Sequence, residues 1–331
     1  MRRIVVALPI AALLIVIGPL DTIAQTFEAV GTRAAGMGGA FVAVADDSSA
    51  VYWNPAGLAL GGALFGLVVD SGRSQCDPTD ERNGGKQSGT LLALTTPPLG
   101  LSYYRLSATR VSIPGAQIGV PPVVFEQLTT HHAGVTLVQS VTPAIAIAST
   151  FKAVRGSAST AILLDGNRDA LLDDDPAVPT RASTRFTADV GVMARLGATR
   201  IGVTVRNVTE PDFDTADGGK IELKRQSRAG IAYLGVQHVI LAADVDLERA
   251  RSSLGDVRNV AGGAELLLHP RAAVRGGLRF NTLSDQPGGS AAVGTVGASI
   301  AAFRSIFIDG QATFGSRSGD RGWGIAARLA Y

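Results

Sequence analysis

The chain has 331 residues with a single cysteine, Cys76, 40 glycines, 46% apolar and 18% charged side chains. One thiol excludes an internal disulfide framework and a cysteine-based zinc site, and the balance is too apolar for disorder and too glycine-rich for a helical bundle. The net charge of +2 falls to +1 without residues 1–24, so no cationic excess points to nucleic acid as a partner.

Arg2 and Arg3 precede an apolar run from Ile4 to Leu20, and the small-residue site Thr22, Ile23, Ala24 follows. This is the order of a secretory signal peptide, predicted to be cleaved after Ala24. A membrane anchor would carry a basic stop-transfer flank, which does not follow here, and no cysteine near the cut allows a lipoprotein. After residue 24 no segment reaches the roughly 18 uninterrupted apolar residues of a spanning helix. Membrane residence therefore requires a β-barrel.

Residues 25–61 read as a compact insert before the first strand. Gly36, Gly38 and Gly39 permit tight turns and close backbone approach. Asp46 or Asp47 can cap a helix whose first turn includes Ser48 and Ser49; Pro55 ends it, and Asn54 suits the turn before that proline. The glycines lack the Gly-x-Gly-x-x-Gly spacing, and no Gly-Lys-Ser or Gly-Lys-Thr occurs, so a phosphate cradle is excluded.

The run from Gly31 to Leu58, with Gly36-Met37-Gly38-Gly39-Ala40-Phe41 and Tyr52-Trp53-Asn54-Pro55-Ala56-Gly57, resembles the opening of the FadL superfamily. That superfamily includes long-chain fatty-acid and hydrocarbon channels, the secretion-associated PorV and PorQ barrels and a conjugation-associated TraF-like branch. Ile201 to Pro211 and Leu266 to Thr282 are more similar to the PorV and TraF-like branches. The resemblance implies an inward-folded hatch that closes the barrel, with the Asn-Pro-Ala element at Asn54, Pro55 and Ala56. A moving gate and a static plug are both open at this point.

Residues 62–331 read as strands of period two. Phe186, Ala188, Val190, Val192, Ala194 and Leu196 share one face, and Arg185, Thr187, Asp189, Gly191 and Arg195 the other. Val239, Leu241, Ala243, Val245 and Leu247 likewise oppose His238, Asp244, Asp246 and Glu248; Ile306, Ile308, Ala312 and Phe314 oppose Asp309, Gln311 and Thr313, with Phe307 an exception. Such runs predict about fourteen strands, near 62–70, 88–95, 98–108, 126–140, 143–155, 182–196, 199–208, 220–233, 237–248, 257–268, 271–281, 290–302, 304–314 and 322–331. Long connections such as 71–87, 109–125 and 156–181 alternate with short ones such as 96–97, 141–142 and 197–198. A soluble β-sandwich also alternates apolar and polar positions, but it does not predict long and short loops in turn. The fold class is all-β: a transmembrane antiparallel barrel of about 14 strands with an N-terminal plug. Tyr331, ending the last strand, resembles the signal that such proteins present to the barrel-assembly machinery.

On that pattern Arg185, Arg195, Arg200, Arg206, Arg228, Arg271, Arg275 and Arg279 point into the lumen, with Asp189, Glu222, Asp244, Asp246, Glu248 and Glu265. Sequential pairing sets Asp244, Asp246, Glu248 and Glu265 beside Arg271, Arg275 and Arg279, an ion-pair wall. The apolar candidates for contacting a ligand are Met37, Phe41, Tyr52 and Trp53, all on the hatch. His131 and His132 are adjacent and face opposite sides of a strand, so they cannot share a metal. Parity assigns His238 to the lumen face, without a serine at triad spacing. The acidic run Asp165 to Asp175 departs from a calcium loop at Ala170 and Pro176 and reads as a solvated loop or a weak divalent site near lipopolysaccharide phosphates. No catalytic residue, cofactor or metal is assigned.

Two functions follow: passive uptake of small hydrophobic molecules across an outer membrane, or a non-enzymatic partner-binding barrel of the PorV kind serving secretion or surface attachment. A continuous apolar cavity at Phe41, Tyr52 and Trp53 favours uptake; a lumen filled with ion pairs favours the scaffold. The expected partners are outer-membrane lipid and lipopolysaccharide, the assembly machinery, and either hydrophobic small molecules or a secretion partner.

Overall fold

The computed structural model describes residues 25–61, 64–76, 83–113, 123–163, 180–216, 218–252, 255–283, 292–316 and 321–331. The expected signal peptide, residues 1–24, and the acidic run at 165–175 lie outside the described residues.

The strands, in chain order, are β1 (Gly66–Cys76), β2 (Asn83–Thr96), β3 (Leu99–Ser112), β4 (Val123–Thr142), β5 (Ile145–Leu163), β6 (Arg181–Leu196), β7 (Thr199–Arg206), β8 (Asp212–Asp214) and β9 (Lys220–Glu222). They continue with β10 (Gln226–Val236), β11 (Val239–Asp246), β12 (Ala250–Ser252), β13 (Gly255–Val257), β14 (Asn259–His269), β15 (Ala272–Asn281), β16 (Ala292–Phe303), β17 (Ile306–Gly315) and β18 (Arg321–Ala330). Fourteen of them close one antiparallel barrel, in which each strand pairs with its chain neighbours and β1 pairs with β18. The other four form two small hairpins, β8 with β9 and β12 with β13, in long connections.

Closure leaves no open edge, and the pleat sorts side chains between two environments. Val69, Leu92, Leu101, Val135, Phe151, Val192, Val203, Leu241, Leu278 and Ile325 stand exposed on the outer face. Their inward neighbours, among them Ala93, Ser102, Thr136, Lys152, Met193, Thr204 and Ala242, are buried. An apolar outer belt around a polar, filled interior is the arrangement of a barrel in lipid. The register shifts in the barrel fall beside short turns, at 140/142, 233/236, 267/269 and 301/303.

One predicted strand is corrected. The stretch 220–233 is not continuous: β9 folds back onto β8, and the barrel strand begins at Gln226. The cause is Phe213, which is fully buried with Ile221 and Leu223 against Leu128, Val154 and Ala158 of the wall. Gly156 makes the room, since the nearest atoms a β-carbon there would strike are in the Phe213 ring. The hairpin thus bends over the long-connection end of the lumen. Strand β1 also sits later than expected, at Gly66–Cys76, and β2 to β5 run further into the long connections than periodicity indicates.

Candidate functional site: the plug and its seat

Residues 25–61 lie inside the barrel. A 3-10 turn (Phe27–Ala29), helix α1 (Thr32–Gly36), helix α2 (Ala50–Trp53) and a second 3-10 turn (Pro55–Ala59) alternate with tight turns. Gly38 and Gly39 take positive φ, +70° and +87°, which an L side chain would resist. Asp47 accepts the Ser49 amide at 2.9 Å ahead of α2. Asn54 then ends α2 and caps the following turn, its Oδ1 accepting from the Ala56 amide at 3.2 Å while Pro55 occupies the first position.

The same asparagine fastens the plug to the wall. Its Nδ2 donates to the carbonyl of Val42 at 3.0 Å and to that of Val192 on β6 at 3.1 Å. Gly191 and Gly202 form the seat: a β-carbon on Gly191 would collide with Asn54 Oδ1 and stand 2.8 Å from Pro55 Cδ, and one on Gly202 would stand 2.7 Å from the Val42 oxygen. Elsewhere the plug backbone lies on Gly89, Gly263, Gly277 and Gly297 in the same way. Inward glycines of the wall are therefore the positions where the plug approaches most closely.

Two wall carboxylates hold plug amides. Asp70 accepts from Gly31 at 3.0 Å and Thr32 at 2.6 Å; Asp244 accepts from Phe41 at 2.8 Å and Val42 at 2.9 Å. Thr295 Oγ1 accepts from the Gly38 amide and donates to the Gly36 carbonyl, at 2.9 and 3.1 Å. Sequence reasoning missed Asp70 and gave Asp244 an ion-pair role; a single acidic residue on an inward parity position does not reveal an amide partner.

Of the proposed ion-pair wall, Glu265 and Arg275 face each other across β14 and β15 and bond at 2.5 Å. Arg275 also contacts Ser299 and Asp309, and Arg328 reaches Asp309 at 2.5 Å. Asp246 pairs instead with Arg228, one strand over, at 2.6 Å. Arg228 continues to Glu28 of the plug at 2.9 Å, and Arg279 stands 3.6 Å from the same carboxylate. Burial pushes Glu28 up, but Arg279 and Arg228 outweigh it and hold the carboxyl at about 2. Two members of the wall are corrected. Arg271 is exposed in the turn before β15, and Glu248 lies past the end of β11, bonded to Arg225 at 3.1 Å. Both have inward parity, yet they stand beyond the strand ends, where parity no longer means lumen. Arg195, in the last turnward pairs of β6, and His238, in the turn before β11, are exposed beside short turns as well.

Met37, Phe41, Tyr52 and Trp53 are buried at 0–1% exposure. Trp53 meets Phe27 at 5.8 Å, Phe41 at 5.9 Å and Tyr52 at 6.1 Å, and Tyr52 meets Tyr104 of the wall edge-on at 5.3 Å. Two wall guanidiniums lie on this cluster: Arg206 over Tyr52 at 3.7 Å and Arg228 over Phe27 at 4.3 Å. These rings are the packed core of the plug. A second buried group, not anticipated from sequence, joins Lys152 to Asp189 at 2.6 Å, Asn207 at 3.0 Å and Tyr104 at 3.2 Å, with His132 stacked on Tyr104.

At the short-turn end the plug leaves a recess of about 440 Å³. Arg33, Asp46, Asp47, Glu265, Arg275 and Arg328 line its charged floor, and Leu58, Leu267, Phe307, Leu329 and Tyr331 its apolar rim. Phe307, out of pattern in sequence, belongs to this rim.

Three solved structures share the fold over nearly the whole chain. The CymD monoaromatic hydrocarbon channel has 15% identity and TM-score 0.67, covering 93% of this chain and 99% of its own. The Ralstonia pickettii toluene transporter TbuX has 16% identity and TM-score 0.65, covering 91% and 98%. The P. putida toluene transporter TodX has 12% identity and TM-score 0.63, covering 94% and 99%. The sequence profile of the family described as "F plasmid transfer operon, TraF, protein" matches residues 168–246. No curated protein sequence matches. The chain shares the fold of these three barrels.

Proposed function

We propose that this chain, with the fold of the FadL-type hydrocarbon channels, takes up small hydrophobic molecules passively across an outer membrane, with residues 25–61 as its hatch. The observation that carries the reading is the fold shared over more than nine-tenths of the chain with the CymD, TbuX and TodX barrels. In this reading the cleaved signal peptide exports the chain, the assembly machinery inserts it, and the short turns face the periplasm. A ligand enters from the long-connection end, meets Met37, Phe41, Tyr52 and Trp53 as the hatch shifts about Gly36, Gly38, Gly39, Asn54, Pro55 and Ala56, and leaves through the recess above Arg33. With the plug seated, those rings pack against one another at 0–1% exposure, so conduction requires the hatch to move.

Uptake of a radiolabelled monoaromatic hydrocarbon by cells with and without the folded protein tests this reading. Equal rates would remove it for that ligand class. The partner-binding barrel is the second reading, and one observation favours it: the lumen is tied together by ion pairs from Arg33 through Glu265, Arg275 and Asp309 to Arg328. It predicts no uptake and a periplasmic or surface protein recovered with the barrel.

A further inference from the structure

The outer face of the barrel carries a cationic row where its apolar belt ends. On β5 the outward residues Ile145, Ile147, Phe151 and Ala153 lead up to Arg155, with Ser149 the one polar interruption. Ten residues at about 3.3 Å, on a strand tilted roughly 40°, rise roughly 25 Å, the height of the apolar band of such barrels. Arg155 therefore stands at the upper edge of the lipid belt. His131 of β4 is its register partner, and Arg105 of β3 is the partner of His131. Thr90 on β2 and Thr184 on β6 continue the same row on either side.

Chemistry changes abruptly across this row. One step below it stand Leu92, Tyr103, Ala133, Ala153 and Phe186 in register, with Phe186 77% exposed. One step above it stand Ser107, Thr129 and Ser157; Ser107 is buried and bonded to Thr129 at 2.9 Å, and Thr129 and Ser157 are half-buried. Tyr103 Oη meets His131 Nδ1 at 2.8 Å and orients the ring along the row. Among the described residues, no acidic side chain shares the outward face of β3, β4 or β5, and neither arginine has a carboxylate partner. Like charges one strand either side of a histidine repel unless an anion joins them. Rows above and below supply hydroxyl donors and an acyl-compatible surface.

The geometry points to Arg105, His131 and Arg155 as a binding site for the phosphates of an outer-leaflet glycolipid of the lipid A type. The two arginines lie two strands, about 10 Å, apart and flank one lipid headgroup. Guanidinium forks take phosphate oxygens, the half-buried Thr129 and Ser157 meet the sugar hydroxyls, and Tyr103, Phe151 and Phe186 contact the acyl chains. The site rests on the outer-membrane placement and is independent of whether the barrel conducts.

Native mass spectrometry of the full chain in detergent, titrated with diphosphoryl lipid A, monophosphoryl lipid A or phosphatidylglycerol, tests it. Each arginine at a lipid surface contributes roughly fivefold, so Arg105→Gln with Arg155→Gln is expected to weaken diphosphoryl lipid A by about twenty-five-fold. Arg271→Gln with Arg304→Gln, at the opposite end, is expected to leave it unchanged. Heat-dependent gel mobility verifies folding, and the single variants are read if the double variant does not fold. Unchanged lipid A binding in the folded variants overturns the site. Phosphatidylglycerol binding as tight as diphosphoryl lipid A overturns the glycolipid assignment.

Discussion

Arg33 of the plug and Glu265 of β14 form a two-bond ion pair, Nε to Oε2 at 2.9 Å and Nη2 to Oε1 at 2.8 Å. Both side chains are nearly buried, and the remaining nitrogen of Arg33 reaches Asp46 and Asp47 at 2.6 and 3.0 Å. One guanidinium thus closes the plug on itself and ties it to the wall.

Glu265→Gln removes the charge and one of the two acceptors from the tie to the wall and leaves the internal tie intact. Removing one partner of a buried pair costs about 3 to 5 kcal/mol, less where the remaining charge keeps other partners, as Arg33 does. The expected outcome is hydrogen exchange at the plug amides of Gly31, Thr32 and Phe41 at least tenfold faster, with β2 to β5 unchanged. Exchange equal to wild type would show that Asp70 and Asp244 hold the plug without it.

The glycine seat gives a second test. Gly191→Ala drives a methyl into Asn54 and Pro55, whereas Gly262→Ala adds one where nothing lies within 4 Å. Overpacking of this kind costs about 1 to 3 kcal/mol. Only Gly191→Ala is expected to expose the plug to protease, with the barrel of both variants resisting SDS at room temperature. Like behaviour of the two would mean that the seat tolerates displacement.

On the outer face, depth decides cost. Val203, midway along β7, is 37% exposed on the lipid side, while Val208, 41% exposed, lies beyond the end of that strand. An arginine at the midplane costs about 2 to 4 kcal/mol and near the interface about 0 to 1. Urea titration of folding into vesicles should separate Val203→Arg from Val208→Arg by that difference. Thr204→Arg is no tolerated counterpart, because Thr204 is fully buried against the filled lumen.

Tyr331 closes the seam between β1 and β18. Its amide donates to the Phe65 carbonyl at 2.9 Å, and its carbonyl accepts from Leu64 and Phe65 at 2.8 and 3.1 Å. Deleting it removes three hydrogen bonds of about 1 kcal/mol each at the point of closure. Folded protein in the membrane fraction should fall several-fold, as read by heat-dependent gel mobility; undiminished levels would show that the seam forms without this residue.

What was legible in the sequence follows from what period two encodes. Val203 and Thr204 declare opposite faces because one meets lipid and the other does not, and Glu265 opposite Arg275 follows from sequential pairing. Depth is not encoded by parity. Arg271 and Glu248 carry the right parity, yet they stand outside the lumen because strand ends depend on the stagger of the whole barrel. Plug contacts were equally hidden: Gly191 and Gly202 look like any strand glycines until Asn54 is placed between them, and Asp70 reads as one more inward polar residue. Asn54 itself was legible from its place before Pro55.

That asparagine decides between a moving hatch and a fixed plug. Its side chain makes three hydrogen bonds, to Val42, Val192 and Ala56, of which only the one to Val192 crosses to the wall. Asn54→Ala removes all three and leaves the carbonyls of Val42 and Val192 without that donor, a loss of roughly 1 kcal/mol per bond. A two-state hatch shifts by a factor of ten for each 1.4 kcal/mol, whereas the closed strand ladder is untouched. If the hatch moves during uptake, entry of a labelled hydrophobic probe into cells should change several-fold while the barrel remains SDS-resistant. The measurement compares wild type, Asn54→Ala and Asn54→Asp, the last keeping the Oδ1 acceptor for Ala56 while losing the donor to both Val42 and Val192. Rates for Asn54→Asp that follow those of Asn54→Ala place the effect at the two donor bonds, to Val42 and Val192, and not at the cap of Ala56. Identical rates in all three, equal to those of cells lacking the protein, would leave the plug static and the partner-binding barrel as the reading that stands.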